Sequence, residues 1–482
     1  MKTNWRWWIC ALLFVATTIN YMDRQVLSLT AKEFIYPEFH WSDADYGTIT
    51  GFFSIFYAVA SLFAGKFIDW MGTRRGYLWA IFVWSIGACL HALCGEATVR
   101  LVPGIGSMAE LGRAAGSTAT LVATTSVYLF LFCRSVLALG ESGNFPAAIK
   151  VTAEYFPKKD RALATSIFNA GASIGALAAP MCIPLLAKEL GWQWAFVIIG
   201  ALGFVWMFFW TAWYERPSAS RRVNDEELAY INQDAEEASE GCEAADERTP
   251  ATEAADERTI PFLRCFTYRQ TWAFITGKFC TDGVWWFFLF WAPNYFQDQF
   301  GYKASSTMGM WLIFTLYLIC TVLSIGGGYL PKYFVESRGM NPYMGRMRAM
   351  LIFAFFPIFA LFAQPLGAYS AWWPAVIIGL AGAGHQAWSA NLYSTIGDMF
   401  PRSTVATITG IGTMVGGIAS YLINTGSGYL FDYASAEGSR FCFLSFSGKP
   451  AAYMIIFCVC ALAYLVAWTA IKMLVPTYRK VE

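Results

Sequence analysis

Runs of about 20 consecutive apolar residues recur along most of this chain, and that recurrence limits its fold more than any other feature. A helix of that length crosses the roughly 30 Å hydrocarbon core of a bilayer, and one soluble core has no room for a dozen such segments. Composition agrees: 57% of the 482 residues are hydrophobic and only 14% are charged, against about a quarter charged in soluble domains. The expected solvent is lipid. There every backbone N–H and C=O must be satisfied within the segment, so the runs are expected to be helical.

Apolar runs lie near 7–29, 46–68, 77–95, 121–148, 162–187 and 194–214, then, after a polar stretch, near 271–297, 306–334, 347–364, 372–397, 404–430 and 451–475. The expected fold is therefore an all-α membrane protein of about twelve transmembrane helices, arranged as two six-helix halves over 1–214 and 270–482. A weak internal repeat supports the halving. Glu154-Tyr155-Phe156-Pro157 closes the fourth run and Asp398-Met399-Phe400-Pro401 the tenth. A helix with glycines four apart follows each, Gly171 and Gly175 in one and Gly412 and Gly416 in the other, a spacing that lets two helices approach closely.

Basic residues flank alternate ends of the runs: Lys2 and Arg6, Arg74 and Arg75, Lys158, Lys159 and Arg161, Arg346 and Arg348, Arg479 and Lys480. All fall on one side if every run spans, and the positive-inside rule makes that side, with both termini, cytoplasmic. The loops between, such as Tyr36 to Asp45, carry few basic residues. The basic start before the first run resembles a secretory signal, but the run ends in Asn20-Tyr21-Met22-Asp23-Arg24 without a small-residue cleavage site, so an uncleaved first span is expected. Residues 215–269 are acidic and poor in large apolar side chains, which predicts a cytoplasmic linker; within it Glu243-Ala244-Ala245-Asp246-Glu247-Arg248-Thr249 recurs at 253–259. Residues 96–118 form a long external connection. A net charge of +1 gives no case for nucleic acid, and the cysteines, with no C-x-x-C pair, read as small hydrophobes rather than a metal or redox site.

Between the second and third runs stands Gly65-Lys66-Phe67-Ile68-Asp69-Trp70-Met71-Gly72-Thr73-Arg74-Arg75. Its glycines permit a tight turn, while Asp69 is suited to face a helix N-terminus or pair with arginine, a latch that breaks when the halves move. Asp23 and Arg24 end an otherwise uncharged first run, where an ionisable side chain costs about 2.5–3.5 kcal/mol on insertion scales, which points to function unless the pair only snorkels to water. Arg134 and Glu141, seven residues apart in the fourth run, share a helix face and are expected to look into one cavity. A guanidinium matches a carboxylate with two parallel hydrogen bonds, and a carboxylate in a low-dielectric cavity is a natural proton carrier; a structural salt bridge to another helix is the plainer alternative. Tyr57 and Asn169 are either hydrogen-bond partners for hydroxyls or packing residues. In the tenth run, His385-Gln386-Ala387-Trp388-Ser389-Ala390-Asn391 puts an aromatic ring and amides where a sugar would use them, Trp388 and Asn391 on one face, although a lone histidine is more often a packing residue. Asp282, in the seventh run, is read as a gating residue.

The Gly65 to Arg75 segment resembles the signature loop of the major facilitator superfamily. With Asn20 to Arg24, Arg134 to Pro146, Asp282 to Trp291 and His385 to Pro401, the chain is most similar to the anion:cation symporter family and its hexuronate transporters. The resemblance implies a proton-coupled symporter of a sugar-acid monoanion in the inner membrane, acting as a monomer without cofactor. It implies that Arg24 and Tyr57 contact the sugar acid, that Asp23 and Glu141 carry protons, that Arg134 tunes Glu141, and that Asn169, Trp388 and Asn391 line the sugar. His385 and Gln386 are grouped with them, and Gly65, Asp69, Gly72, Arg74, Arg75 and Asp282 with gating. Two departures stand out, the external connection and Gly283 where the family pattern has proline. Rival readings are an aldonate or other organic-anion symporter, an exchanger of phosphorylated compounds, which would want more than one buried cation, and a membrane receptor, which would want an output domain. No nucleophile, metal or cofactor constellation marks an enzyme.

Overall fold

A computed structural model describes residues 3–233, 260–324, 326–479 and 481. Twelve spans account for the twelve apolar runs. They are α1 (Trp5–Thr30, prolonged through a π-helical turn Ala31–Ile35 and Tyr36–Phe39), α2 (Asp43–Met71), α3 (Thr73–His91 with Cys94–Leu101), α4 (Gly116–Glu141 continued by Asn144–Tyr155), α5 (Lys158–Leu190) and α6 (Trp192–Trp213). The second half holds α7 (Arg269–Phe300), α8 (Thr307–Ser324 and Gly326–Arg338), α9 (Pro342–Ala354, a 3-10 stretch Phe356–Phe362 and Ala363–Gly367), α10 (Trp372–Met399), α11 (Arg402–Ser435) and α12 (Lys449–Leu474). Seven described helices are long and apolar enough to cross a membrane on composition alone, and an eighth if the two pieces of α3, bent by 55°, count as one. The four that fall short, α1, α7, α10 and α11, include those that carry Arg24, Asp282 and His385.

Between the halves, α2 lies along α11 and α5 meets the first segment of α8. The α2–α11 seam is built from small residues: a methyl group on Gly47 would sit 2.5 Å from Asn424 O, and Ser54 Oγ meets Ser420 Oγ at 2.7 Å. Within the first half, Gly171 and Gly175 let α5 rest on the backbone of α1 at Phe14 and Thr18, as the four-residue spacing anticipates.

The face opposite the termini, here called the distal face, is closed by charge. Lys32 Nζ lies 3.0 Å from Asp43 and 3.1 Å from Asp298, while Lys449 contacts Asp43 and lies 2.8 Å from Asp298. Tyr36 and Tyr453 donate to the same two carboxylates at 3.1 and 2.9 Å. Two carboxylates also cap helices of the opposite half: Asp432 accepts from Asp43 N and Ala44 N at the start of α2, and Glu33 accepts from Ser305 N and Oγ before α8. The segment 96–118 packs over this face of the first half, where Leu111 is fully buried and its carbonyl meets the His40 ring at 2.8 Å.

Part of the predicted linker has a structural task. Glu227, on a helix over 225–233, is fully buried and accepts from Trp5 N at 3.0 Å and Arg6 N at 3.1 Å, while pairing with the Arg6 guanidinium at 3.2 Å. It supplies the cap that Asn4 does not give α1. The duplicated heptapeptide at 243–249 and 253–259 lies outside the described residues.

The seam makes a direct test of packing. Gly47→Leu is expected to destabilise the protein by about 1–3 kcal/mol through overpacking, whereas Gly65→Leu, at a position with nothing within 4 Å, should stay within about 0.5 kcal/mol. Thermal unfolding of the two variants in detergent compares them, and equal losses would mean that the seam is not close-packed.

Candidate functional site

Arg24 and Glu141 meet at the junction of the halves. Both side chains are buried, and Glu141 Oε2 accepts from Arg24 Nε at 3.0 Å and from Nη2 at 2.7 Å. The pair joins α1 to the end of the long segment of α4, just before Ser142 and Gly143 interrupt that helix. Arg134, two turns earlier on the same face of α4, donates Nη2 to the backbone carbonyl of Arg24 at 3.4 Å, and its Nε and Nη1 make no hydrogen bond among the described residues. Arg134 and Glu141 are near neighbours without a hydrogen bond between them. The two share a face and a neighbourhood, but the hydrogen bonds to Glu141 come from Arg24, because the Arg134 side chain runs toward the α1 backbone. Asp23 is 1% exposed, and neither of its oxygens makes a hydrogen bond among the described residues. It is a buried carboxyl, not an interfacial one that snorkels to water.

Aromatic rings wall the Arg24 guanidinium. Tyr57 lies 4.8 Å from its carbon, Trp286 5.0 Å, Tyr21 5.3 Å and Phe53 5.8 Å, all within cation–π range. Arg134 stacks on Phe53 at 4.9 Å. Tyr57 and Phe53 are one turn apart on α2, Tyr21 is three residues before Arg24, and Trp286 reaches in from α7 in the other half. Tyr21, Tyr57 and Trp286 are half-buried, so this wall is open on one side. Of these rings only Tyr57 follows from the sequence argument. Phe53 is signalled by its four-residue spacing from Tyr57, and Trp286 by its place in the Asp282 to Trp291 stretch.

Other expected site residues are placed elsewhere. Asn169 is exposed on α5 and makes no hydrogen bond among the described residues. His385 is buried in the second half, its Nδ1 2.7 Å from Tyr464 OH and its ring stacked on Trp285. Trp388 is fully buried with its edge on Tyr464, and Asn391 donates to Ala387 O of its own helix at 2.8 Å. Gln386, between them, is half-buried. Trp388 thus packs on Tyr464 within the second half, while its indole Nε1 is buried without a hydrogen-bond partner among the described residues. Asp282 pairs with Lys278 one turn below it at 2.5 Å, Lys278 also donating to Tyr393 OH at 3.0 Å, and its carboxylate lies against Gly416 of α11.

In the signature loop, Gly72 adopts φ +80°, the conformation that a glycine allows, and joins α2 to α3 without a longer linker. Gly65 lies inside α2, not in the turn. Asp69 pairs with Lys150 of α4 at 2.6 Å rather than with an arginine, since Arg74 turns away to donate to Thr211 O at the end of α6 and Arg75 is exposed.

This geometry can be set beside known proteins. The family model described as Major Facilitator Superfamily matches residues 13–423. The chain belongs to the major facilitator superfamily. Among its relatives, the hexuronate transporter of Escherichia coli (strain K12) is 28% identical over 432 residues, covering 89% of this chain and 88% of the relative. The galacturonate transporter of Dickeya chrysanthemi is 25% identical over 342 residues, 71% of this chain and 86% of the relative. Among solved structures, a bacterial homologue of the human lysosomal transporter Spinster, inward-facing and occupied, matches with TM-score 0.67 at 18% identity over 98% of this chain and 97% of that one. The D-xylose-proton symporter matches with TM-score 0.60 at 16% identity over 95% and 96%. The twelve-helix fold and the relatives are those of membrane transporters of the superfamily, not of enzymes.

Stability separates the two buried carboxyls. Glu141→Ala strands the Arg24 guanidinium and is expected to cost about 3–5 kcal/mol, whereas Asp23→Asn replaces a carboxyl that accepts no hydrogen bond among the described residues and should cost less than about 1 kcal/mol. Melting of the purified variants in detergent checks the order, which reverses if Asp23 rather than Glu141 is the structural counter-charge.

Proposed function

We propose that this transporter carries a sugar-acid monoanion of the hexuronate type into the cell together with protons, with both termini on the cytoplasmic side of the inner membrane. The observation that carries the reading is the buried Arg24–Glu141 pair at the junction of the halves, beside Asp23, whose oxygens accept no hydrogen bond among the described residues. The relatives named for hexuronate and galacturonate transport support the substrate class.

A guanidinium fork presents two parallel N–H groups to one carboxylate at a time. While Glu141 is charged it occupies Nε and Nη2 of Arg24. A proton on Glu141 removes that claim, and the fork passes to the carboxylate of the substrate. Loss of the proton on the cytoplasmic side returns Glu141 to Arg24 and displaces the anion. Asp23 is the second proton carrier: it is buried and neither of its oxygens accepts a hydrogen bond among the described residues, and a buried charge without hydrogen bonds costs several kcal/mol in a low-dielectric site. Arg134, fixed on the backbone beside them, keeps the site electropositive when both carboxyls are neutral. Tyr57 offers a hydroxyl to the sugar next to Arg24. The distal contacts between the halves and the Asp69–Lys150 link within the first half are contacts that exchange partners during alternating access. The chain is proposed to work as a monomer.

With one proton per monoanion the cycle is electroneutral, and with two it carries one positive charge inward, worth about 2.3 kcal/mol for each 100 mV of membrane potential. Labelled glucuronate and galacturonate uptake into proteoliposomes, with an imposed proton gradient and with an uncoupler, tests the proposal. Glu141→Gln is expected to abolish uphill accumulation while substrate exchange across the vesicle persists. Accumulation that survives in this variant removes Glu141 from proton coupling, and failure of the wild type to move either hexuronate removes the substrate class.

A further inference from the structure

The second half places two adjacent tryptophans on α7, and they face different surroundings. Trp285 stacks flat on His385, at an interplanar angle of 5°, inside its own half. Trp286 turns to the first half, where its ring lies 5.0 Å from the Arg24 carbon and 6.2 Å from the rings of Tyr57 and Phe53. Trp291, five residues on, is fully buried and donates its N–H to Asn424 Oδ1 at 3.0 Å. Trp286 by contrast is half-buried, and its N–H has no partner among the described residues. A tryptophan with part of its ring and its donor uncommitted, set against the Arg24 guanidinium, whose fork is held by a single carboxylate oxygen, is placed to meet a ligand.

Resting on the sugar-acid reading above, we propose that Trp286 is the specificity residue that selects cyclic sugar acids over open-chain ones. A pyranuronate bound through its carboxylate at Arg24 carries its ring directly on the next carbon. The apolar C–H face of that ring is therefore brought to the indole beside the guanidinium. An aldonate presents the same carboxylate but a flexible hydroxylated chain, which has no flat apolar face to stack and loses rotational freedom when it is held against one. The donor on the indole edge is left for a ring oxygen or hydroxyl. Since Arg24, Tyr21, Phe53 and Tyr57 all belong to the first half, Trp286 is also the ring through which a bound sugar touches the second half at this site.

The test compares galacturonate and galactonate in counterflow on proteoliposomes with wild type, Trp286→Ala and Trp286→Phe. Trp286→Ala is expected to raise the half-saturating concentration of galacturonate about tenfold, equivalent to about 1.4 kcal/mol, with galactonate changed less than about twofold, so that the preference for the ring falls by roughly the same factor. Trp286→Phe should recover most of the loss. Should Trp286→Ala fail to reach the membrane, Trp286→Leu keeps the apolar bulk without the flat ring and carries the same expectation. Equal losses for both acids, or an unchanged galacturonate value, overturn the role of Trp286 while leaving the sugar-acid reading intact. A wild type that carries neither galacturonate nor glucuronate overturns that reading, and this inference with it.

Discussion

The pairing of Arg24 with Glu141 is the interaction around which the rest of the site is arranged. Two charges taken out of water are tolerated only where geometry is good and other polar atoms are cared for. Here one carboxylate oxygen receives two N–H groups, the α1 backbone receives Arg134, and aromatic faces take the place of solvent around both guanidiniums. The same bond ties α1 to α4 at the point where α4 breaks, so the charge chemistry and the helix geometry of the first half share one contact. An apolar pair would hold the helices together at less cost. The charged pair at this position is what supports the proposal that the site uses charge itself.

The architecture was legible because lipid leaves few alternatives. The run at 46–68 became α2 (Asp43–Met71) and the run at 404–430 became α11 (Arg402–Ser435) with little change beyond the helix ends, where polar caps such as Ser42 and Asp45 extend α2. The ninth run was legible as a span but not as three pieces, since the break follows from how Pro357 and its neighbours pack rather than from hydropathy. Glu227 was illegible: one more acid in an acidic stretch, it becomes a helix cap only once the chain returns to the start of α1.

The site was legible along each helix and obscure between helices. Seven-residue spacing put Arg134 and Glu141 on one face, but spacing says nothing about which of two cations on different helices lies nearer to Glu141, and the answer is Arg24. In the same way a Trp-Trp pair on α7 gives two directions about 100° apart without saying which one meets the first half. In the cluster from His385 to Asn391, His385 meets Tyr464 OH and Trp388 sets its ring against the same tyrosine, while the Trp388 N–H has no partner among the described residues. Polarity in a membrane helix reports that something is being satisfied there, and only the fold tells whether the partner is a ligand or another helix. The shortfall of α1, α7, α10 and α11 in apolarity has this double origin.

The four charges on the distal face have a property that appears only when the halves are imagined apart. Lys32 and Asp43 belong to the first half, Asp298 and Lys449 to the second, and each lysine touches both aspartates. Separation cuts the two cross-half contacts but leaves Lys32 on Asp43 and Lys449 on Asp298. The square divides into two neutral dipoles, and no ion is abandoned in a poorly solvated place, which is the step that makes breaking a buried pair expensive. Asp432 and Glu33 give up backbone N–H groups at helix ends that water can reach and replace. The seal is thus strong in number of contacts and cheap to part, the combination that a door in regular use requires.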